Sequence, residues 1–279
     1  MKEPFFSIIV VCLNPGEKLQ STLESIKSQT FHDFEVIVKD GGSVDGSLAD
    51  AEELAKAWEL DGRRLRLVIK KDKGIYDAMN QAAKEAAGRF LYFLNCGDLF
   101  YSADVLKKMW EFMGAEKAEK GIYYGDIYER KTGQRVPSNP HIDAFACYRN
   151  VPCHQACFYS REILDRHCFD ISYRVRADYE QFLWCFLDGD NKEEFNFAYN
   201  NEVIVDYEGG GFSETKENRR ISAKEHKEIT KKYLSRGQLF RFRLIMWLTL
   251  APLRTKIAEN EKTAKIYNCL KEAIYARKG

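Results

Sequence analysis

The run SIIVVCLN at residues 7–14 is apolar, rich in β-branched side chains, and ended by Asn14-Pro15-Gly16. Such a run, without alternating polar residues, is typical of a parallel strand that is buried on both faces of a sheet. Three more strand-like runs follow it, separated by helical patterns: FEVIVKDGGS (34–43), RLRLVIK (64–70) and FLYFLN (90–95). This alternating order predicts an α/β fold in which an open parallel sheet carries helices on both faces.

The composition is that of a globular protein. Of the 279 residues, 45% are hydrophobic and 30% are charged, which excludes a disordered or collagen-like chain. The eight cysteines include no CxxC pair, so we interpret them as reduced thiols of a cytoplasmic protein. The opening residues MKEPFFSIIVVCLN have neither the cleavage site of a signal peptide nor the length of a membrane span.

Polar residues follow the four strand-like runs: Asn14, Asp40, Asp72 with Lys73, and Asn95 with Asp98. The carboxyl ends of parallel strands meet at one edge of a sheet, where the ligands of open α/β folds bind. Neither GxGxxG nor the GxxxxGK[ST] phosphate loop occurs, so a nicotinamide site and a P-loop site lose their main support. The pattern instead predicts a nucleotide site built from acidic groups, with room for a divalent metal ion.

With these residues in place, the chain resembles the family 2 glycosyltransferases, which have the GT-A fold, from about residue 5 to residue 215. The similar segments are SIIVVCLN, EVIVKDGGSVDGS (35–47), KDKGIYDAMNQA (71–82), LNCGD (94–98), HQ (154–155) and RADYEQFL (176–183). Each segment alone is a weak signal, but their order and spacing together are specific. The similarity is greatest to bacterial enzymes that assemble repeat units of capsule, colanic acid or lipopolysaccharide.

The resemblance implies an α/β fold of the GT-A type. Its sheet is expected to be open, mixed and mostly parallel, flanked by helices and followed by a C-terminal helical basic tail. We expect residues 1–125 to form the nucleotide-sugar-binding half of one domain and residues 126–215 its acceptor-binding, catalytic half. Residues 216–279 are expected to form the tail.

The implied donor site follows the strand ends. A short carboxylate at Asp40 can accept a hydrogen bond from a base or a ribose, and Gly41 lets the backbone turn close to a ligand. Asp72 is implied to meet the base, although an Asp in either place could instead cap a turn or a helix. The glycine-rich run at 209–213 is similar to a loop that closes over bound donor, with a linker as the alternative. The implied donor-binding residues are Asn14, Asp40, Gly41, Asp72, Lys73, Gly74, Asn80 and Asn95.

The segment LNCGD departs from the family pattern. Family members usually have Asp-x-Asp after this strand, and the last carboxylate holds Mn²⁺ or Mg²⁺ against the donor diphosphate. Here Asn95 and Gly97 stand where carboxylates could be, and Asp98 remains. A hard divalent cation accepts a single carboxylate when phosphate oxygens and waters complete its coordination shell. We therefore expect Asp98 to be the metal ligand; an Asp that only shapes a turn is the alternative.

An acidic residue in RADYEQFL is implied to take the proton from the acceptor hydroxyl. Asp178 occupies the family position, and Glu180 is the competing candidate. Residues two apart on a helix face away from each other, so only one can enter the cleft, and we expect Asp178. A carboxylate that merely caps the helix is the alternative. Three further residues are implied to face the acceptor or the diphosphate: His154, Gln155 and Asp126.

The tail is strongly basic. Residues 216–279 carry 17 Lys and Arg against 6 Asp and Glu, whereas the whole chain has a net charge of +1. Within the tail, GQLFRFRLIMWLTLAPLRTK (237–256) adds Phe240, Phe242 and Trp247 to these charges, and its apolar part is far shorter than the ~20 residues that cross a bilayer. This predicts a helix on an anionic membrane surface, with packing on the body or on a partner subunit as the alternative. Residues 1–215 are acidic on balance and offer no basic patch that would extend the one in the tail. Nucleic acid is therefore not an expected partner.

Together these features predict a metal-dependent inverting glycosyltransferase of surface polysaccharide assembly, cytoplasmic and peripheral on the inner face of the membrane. The expected donor is a nucleoside-diphosphate sugar, with UDP favoured, and the expected acceptor is a saccharide, lipid-linked in view of the tail. Two alternatives stay open. A nucleotidyltransferase would be expected to have a basic, glycine-rich phosphate loop after the first strand, and Asn14-Pro15-Gly16 does not fit such a loop. A catalytically silent sugar-nucleotide or membrane-binding module is supported by the reduced metal motif.

Overall fold

A computed structural model of the chain describes residues 3–60, 64–189, 191, 193–210 and 215–249. The strands in this part are β1 (Phe6–Cys12), β2 (Phe34–Asp40), β3 (Arg64–Ile69), β4 (Phe90–Phe93), β5 (Leu99–Phe100), β6 (Gly121–Glu129), β7 (Gln134–Val136), β8 (Cys157–Ser160) and β9 (Asn196–Tyr207). The helices are α1 (Lys18–Lys27), α2 (Ser47–Leu60), α3 (Ile75–Glu85), α4 (Val105–Phe112), α5 (Ala144–Arg149), α6 (Arg161–Arg166), α7 (Ala177–Leu187), α8 (Lys216–Tyr233) and α9 (Arg236–Leu248). Short 3₁₀ turns cover Ala115–Lys117 and His154–Ala156.

The strands join one sheet in the order β3-β2-β1-β4-β8-β6-β9-β5, and β7 pairs with β6. Neighbours among β1 to β4 are parallel, as the four strand-like runs predict. Strand β8 is antiparallel to both β4 and β6, and β6 is parallel to β9. The prediction of an open mixed sheet flanked by helices is confirmed. Parallel pairing dominates its first half, and antiparallel pairs are added in the second.

Strand β1 lies between β2 and β4, and both of its faces are buried. Phe6, Ile8 and Val10 enter one apolar core, while Ile9 and Val11 enter a second core on the opposite face. This double burial is the reason why the run is apolar without alternation.

The antiparallel strand β8 brings a second segment to the carboxyl edge of β1 to β4. Phe90 pairs with Ser160, and Tyr92 pairs with Phe158, so β8 begins where β4 ends. The 3₁₀ turn that directly precedes β8, His154–Ala156, therefore lies beside the residues that follow β4. This register places the HQ pair next to the strand ends.

Helices α8 and α9 pack against the body. Ile229 of α8 is buried in the second core, and Phe242 of α9 packs on Phe145 and Tyr148 of α5. The interfacial role predicted for Phe242 is therefore wrong, because its ring is buried on the body. The prediction for residues 250–279 lies outside the described residues. None of the described helices combines the length and the apolar composition that crossing a membrane requires.

Glu180 joins α7 to α8. Its buried carboxylate receives hydrogen bonds from His167 at 2.8 Å, from Lys232 at 2.6 Å and from the hydroxyl of Tyr233. Burial raises the pKa of Glu180, but these bonds outweigh it and lower the pKa from 4.5 to about 2. Glu180 is thus an ionised structural residue that faces away from Asp178, as the helical spacing predicts.

Replacing Glu180 by Gln should lower the free energy of unfolding at neutral pH by roughly 2–4 kcal/mol, since the ionised partner of Lys232 is lost. The folded-state pKa lies below the ordinary one, so this stabilisation is fully present above about pH 4.5 and is lost as the pH falls towards 2. Urea unfolding at several pH values should therefore give curves for Glu180→Gln and the parent that converge in acid. Glu228→Gln, which removes an exposed partner of Lys224 on α8, is the control and should change little. A constant difference at all pH values would contradict the ionised state of Glu180.

Candidate active site

A cavity of about 810 Å³ lies where the carboxyl ends of β1 and β4 meet the start of α7. Six of the predicted site residues line it: Asn14, Asn95, Asp98, His154, Gln155 and Asp178. They come from both predicted halves of the domain. The volume of the cavity lies within the range of small-molecule binding sites.

Asp98 is held at the strand-end side of the cavity and is only 4% exposed. Its Oδ1 accepts a hydrogen bond from the backbone N–H of Glu208 at 2.7 Å, and its Oδ2 accepts one from the side chain of Gln155. Burial raises the pKa of Asp98 from 3.8 to about 6, and the bond from Glu208 offsets only part of that rise. Because its charge is poorly compensated, this carboxylate would gain from a cation beside it.

The residues around Asp98 fit a divalent cation whose ligands come partly from the protein and partly from a substrate. The Oδ1 atom of Asn95 is buried and accepts no hydrogen bond from a described residue. Carboxylate and amide oxygens are the ligands that Mn²⁺ and Mg²⁺ prefer. Across the described ranges, however, no group of three or more His, Cys, Asp or Glu side chains could hold a metal ion. Such a cation would need diphosphate oxygens and water to complete its shell.

Asp178 is the second residue of α7 and lines the same cavity. Its Oδ1 accepts hydrogen bonds from the hydroxyl of Tyr76 and the backbone N–H of Tyr179, both at 2.8 Å. Its Oδ2 lies 3.1 Å from Nδ1 of His154. Burial raises the pKa of Asp178, but His154 and the other two donors lower it below its ordinary value. The side chain stays 22% exposed, so an ionised carboxylate is accessible from the cavity.

His154 and Gln155 connect the two carboxylates. Gln155 donates to Asp98, whereas Nδ1 of His154 faces Asp178. The other ring nitrogen of His154, Nε2, is buried and has no hydrogen-bond partner in the described part of the chain. Because Nδ1 faces a carboxylate, the hydrogen-bond network assigns the ring proton to Nδ1. Nε2 is then an acceptor that no described residue uses.

Three thiols also line the cavity, those of Cys12, Cys96 and Cys153. Burial raises the pKa of Cys96 and that of Cys153 to about 12, and that of Cys12 further still. All three thiols therefore stay protonated at neutral pH, which makes them poor nucleophiles and poor metal ligands.

Asp40 lies beside the cavity and shapes the turn after β2. Its Oδ2 accepts hydrogen bonds from the backbone N–H groups of Gly42 at 2.6 Å and Ser43 at 2.8 Å. A side chain at Gly41 would force Asp72 to shift, because a Cβ there would come within 2.9 Å of Oδ2 of Asp72. Close approach of the loops after β2 and β3 is thus the physical reason for a glycine at this position.

Asp72 is held by a buried lysine that the sequence reasoning missed. Nζ of Lys39, which is fully buried in β2, lies 2.8 Å from Oδ2 of Asp72. Oδ1 of Asp72 accepts a hydrogen bond from the backbone N–H of Gly74 at 3.1 Å, and the N–H of Lys73 donates to Asp77. The signal for Lys39 in the sequence was a charged residue inside an apolar strand. These contacts shape the loop that opens α3.

Two other predicted residues have buried structural contacts and do not line the cavity. The amide of Asn80 donates to the carbonyl of Phe169 at 2.7 Å and accepts from its N–H at 2.9 Å, so the prediction that Asn80 borders the donor has no support from its contacts. Asp126 pairs with Arg135 at 2.6 Å and accepts from the N–H of Ser138 at 2.8 Å. Through Ser138, which lines the cavity, Asp126 shapes the acceptor side indirectly.

The glycine-rich run begins at the cavity. Glu208 and Gly209 line it, and Glu208 is ion-paired with Lys18 at 2.7 Å. Gly97 has a φ of +103°, and a Cβ there would come within 2.7 Å of Oε2 of Glu208. Residues 211–213 of the predicted closing loop lie outside the described residues.

Further cavity residues were missed in the sequence, among them Tyr76, Arg149, Arg176 and Ser222. Tyr76 and Arg176 lie inside segments that carried the family resemblance, and their polar or charged side chains were a usable signal. Ser222 belongs to α8, in the region predicted to be a separate tail, and no local pattern marks it.

Comparison with known proteins finds glycosyltransferases. A family model described as glycosyl transferase family 2 matches residues 7–168. The chain is 36% identical over 217 residues to a PGL/p-HBAD biosynthesis glycosyltransferase of Mycobacterium bovis (strain BCG / Pasteur 1173P2), covering 77% of this chain and 81% of that one. It is 28% identical over 139 residues to the putative glycosyltransferase EpsH of Bacillus subtilis (strain 168), covering 50% of this chain and 39% of EpsH.

Solved structures share the fold. The S. aureus TarS 1-349 complex with UDP-GlcNAc has a TM-score of 0.61 at 17% identity, covering 84% of this chain and 68% of that chain. The mannosyltransferase PcManGT from Pyrobaculum calidifontis, in complex with GDP-Man and Mn²⁺, has a TM-score of 0.57 at 17% identity, covering 73% of this chain and 57% of that one. These likenesses confirm the predicted GT-A type of α/β architecture.

Proposed function

The chain belongs to glycosyl transferase family 2, and from this membership we propose that it transfers a sugar from a nucleoside-diphosphate sugar to a saccharide hydroxyl, with inversion at the anomeric carbon. The observation that carries this proposal is the pair of carboxylates in one cavity, Asp98 at the strand ends and Asp178 on α7. Asp98 is suited to binding a charged donor through a cation, and Asp178 is suited to accepting a proton. Adjacent residues, His154 and Gln155, hold them both.

The donor would occupy the half of the domain formed by residues 1–125. Its nucleoside would lie along the ends of β1, β2 and β3, where Asp40 and Asp72 stiffen two neighbouring loops. Asn14 and Asn95 would contact it from the cavity lining. We propose UDP as the nucleotide, since TarS binds UDP-GlcNAc; PcManGT binds GDP-Man, so the base has to be tested.

Asp98 and the amide oxygen of Asn95 would hold Mn²⁺ or Mg²⁺. When bound, the cation supplies positive charge that stabilises the leaving diphosphate. Asp98 is buried, so little water would screen the attraction between its carboxylate and the cation. Gln155 and the N–H of Glu208 orient its two oxygens.

Asp178 would accept the proton of the attacking hydroxyl. It is ionised at neutral pH because its pKa is lowered, and Tyr76 and His154 hold it in one orientation. A weakly basic carboxylate serves here because the hydroxyl becomes acidic only as it attacks the anomeric carbon. Attack on the face opposite the diphosphate gives inversion in one displacement. This requires no enzyme nucleophile.

The acceptor would enter through the half formed by residues 126–215, from the side of α9. Phe240 and Trp247 are each 72% exposed on that helix, beside the exposed Arg241 and Arg243. Exposed aromatic rings interleaved with basic residues suit an anionic membrane surface. We therefore propose a lipid-linked saccharide acceptor and a peripheral position on the cytoplasmic face of the membrane.

The rival functions have less support. Family membership replaces the nucleotidyltransferase alternative, which rested on fold class alone. A catalytically silent module would not need an ionised, accessible carboxylate at Asp178 beside the donor site.

The first test of this function concerns Asp98. Mn²⁺ alone should bind weakly to the protein and more tightly with UDP present, because the diphosphate completes the coordination shell. Asp98→Asn should weaken the joint binding at least about tenfold in calorimetry. Asp165→Asn, which alters an exposed carboxylate on α6, is the control and should bind as the parent does. Unchanged Mn²⁺ and UDP binding by Asp98→Asn would remove the metal assignment.

The second test concerns Asp178. Asp178→Asn keeps the size and most hydrogen bonds of the side chain but removes the base, so transfer should fall by about 10²–10⁴-fold while UDP binding survives. Glu180→Gln, assayed well below its melting temperature, should retain most of the transfer rate. If Glu180→Gln is inactive while Asp178→Asn is active, the assignment of the base is wrong.

The third test concerns α9. Arg241→Glu combined with Arg243→Glu should weaken sedimentation with phosphatidylglycerol vesicles at least about tenfold, since each basic residue near such a surface contributes about 1 kcal/mol. Both residues are exposed, so the fold should persist. Lys56→Glu with Arg64→Glu makes the same charge change on α2 and β3 and should bind as the parent does. Equal sedimentation of the α9 variant and the parent would contradict the membrane proposal.

A further inference from the structure

The wall of the cavity beyond Asp178 carries two arginines, Arg149 at the end of α5 and Arg176 directly before α7. Neither is paired with a carboxylate of a described residue. The ring of Phe145 lies 5.9 Å from the guanidinium carbon of Arg149. Unpaired guanidinium groups on a cavity wall attract an anionic ligand.

Arg176 is held in a fixed orientation. Its Nε donates to the hydroxyl of Ser222 at 2.7 Å, and its guanidinium carbon lies 5.2 Å from the ring centroid of Tyr179. Its backbone N–H donates to the carboxylate of Glu225 at 2.9 Å. The two terminal amino groups of Arg176 donate to no described residue. They form a pre-organised fork, so little side-chain entropy would be lost on binding.

A continuous path of contacts links these arginines to the two carboxylates of the cavity. It starts at Asp98, which Gln155 contacts, and passes through His154 to Asp178. The ring of Tyr179, the next residue, packs against the guanidinium group of Arg176, and its hydroxyl donates a hydrogen bond to the carbonyl of Cys147 in α5. Asp98 and Arg176 are thus at opposite ends of this path, with Asp178 between them.

The acidic groups near Arg176 accept hydrogen bonds from other residues. Glu225 accepts them from three successive backbone N–H groups, those of residues 174–176. Asp178 accepts one from Tyr76 and lies beside His154. The side chains of Arg149 and Arg176 are therefore not engaged by these carboxylates. Lys216, Arg219 and Arg220 on α8 line a second, smaller hollow, and Arg219 lies one helical turn before Ser222.

We propose that Arg149 and Arg176 form an anion subsite that binds a phosphate group of the acceptor, so that the acceptor is a saccharide carried on a phosphate or diphosphate ester. This inference rests on the proposed function, because it takes Asp178 as the residue that meets the acceptor hydroxyl. A planar guanidinium donates two parallel hydrogen bonds to phosphate oxygens, which fixes the position of the ester as well as binding it. The acceptor hydroxyl is then presented to Asp178 from the side away from Asp98.

The phosphate could also belong to the donor, and the experiment separates these two sources. The full-length protein is titrated with citronellyl phosphate in a calorimeter, first alone and then saturated with UDP and Mg²⁺; citronellol and inorganic phosphate are titrated in parallel. We expect citronellyl phosphate to bind in both states, citronellol not to bind, and inorganic phosphate to bind more weakly. Saturation with UDP that abolishes binding of citronellyl phosphate would assign the arginines to the donor and overturn the inference.

Matched variants test the residues themselves. Arg176→Gln and Arg149→Gln should each weaken citronellyl phosphate binding roughly 10- to 100-fold, because hydrogen bonds to charged groups are lost, and should leave UDP binding unchanged. Arg64→Gln removes an exposed arginine from β3 at the far edge of the sheet and should change neither. Unchanged citronellyl phosphate binding in both cavity variants would overturn the subsite.

Melting temperatures guard against a folding effect, since Arg176 anchors α8 through Ser222. Arg149 is exposed and makes no hydrogen bond to a described residue, so Arg149→Gln keeps the test valid if Arg176→Gln is unstable. Failure of the proposed function is distinguishable: if UDP does not bind at all while citronellyl phosphate still binds through the arginines, the donor assignment fails and the subsite stands.

Discussion

Gln155 donates a hydrogen bond to Asp98 while its neighbour His154 contacts Asp178, and the site depends on this pair of contacts. The two residues lie in one 3₁₀ turn, so the separation of the two carboxylates is set by a rigid piece of backbone. The turn is itself fixed, because the carbonyl of Gln155 accepts a hydrogen bond from the buried hydroxyl of Tyr92 at 2.6 Å. A turn anchored in the sheet therefore joins the halves that would hold donor and acceptor.

The environments of the two carboxylates shift their pKa values in opposite directions. Desolvation by burial raises the pKa of Asp98, whereas His154 and Tyr76 lower that of Asp178 despite its burial. Groups whose pKa values are shifted apart in one cavity commonly have separate roles. Asp98 would be stabilised by positive charge from a ligand, and Asp178 is already ionised. The difference in pKa that the two proposed roles require is thus present before any substrate binds.

Much of the fold follows from the sequence because burial on both faces of β1 requires an uninterrupted apolar run, and parallel strands must end at one edge. The position of Asp178 relative to Glu180 was likewise predictable from helical spacing. The contact between Gln155 and Asp98 was not, since it depends on the antiparallel register of β8, which no local pattern encodes. Asn80 illustrates the same limit: its polar side chain is matched to the backbone of Phe169, a partner that is distant in the sequence.

The region predicted as a tail takes part in building the site. In α8, Glu225 holds the backbone just before Asp178, and the ring of His226 stacks on Tyr179 with centroids 5.2 Å apart. In α9, Phe242 packs against α5, whose last residue is Arg149 in the cavity wall. Phe145 and Tyr148 precede Arg149 by four residues and one residue, so at most about 6 Å of helix separates the α9 contact from the cavity. A surface bound by the exposed rings of α9 would therefore lie close to the cavity, and a lipid-linked saccharide could reach Asp178 through the few bonds of a phosphate ester.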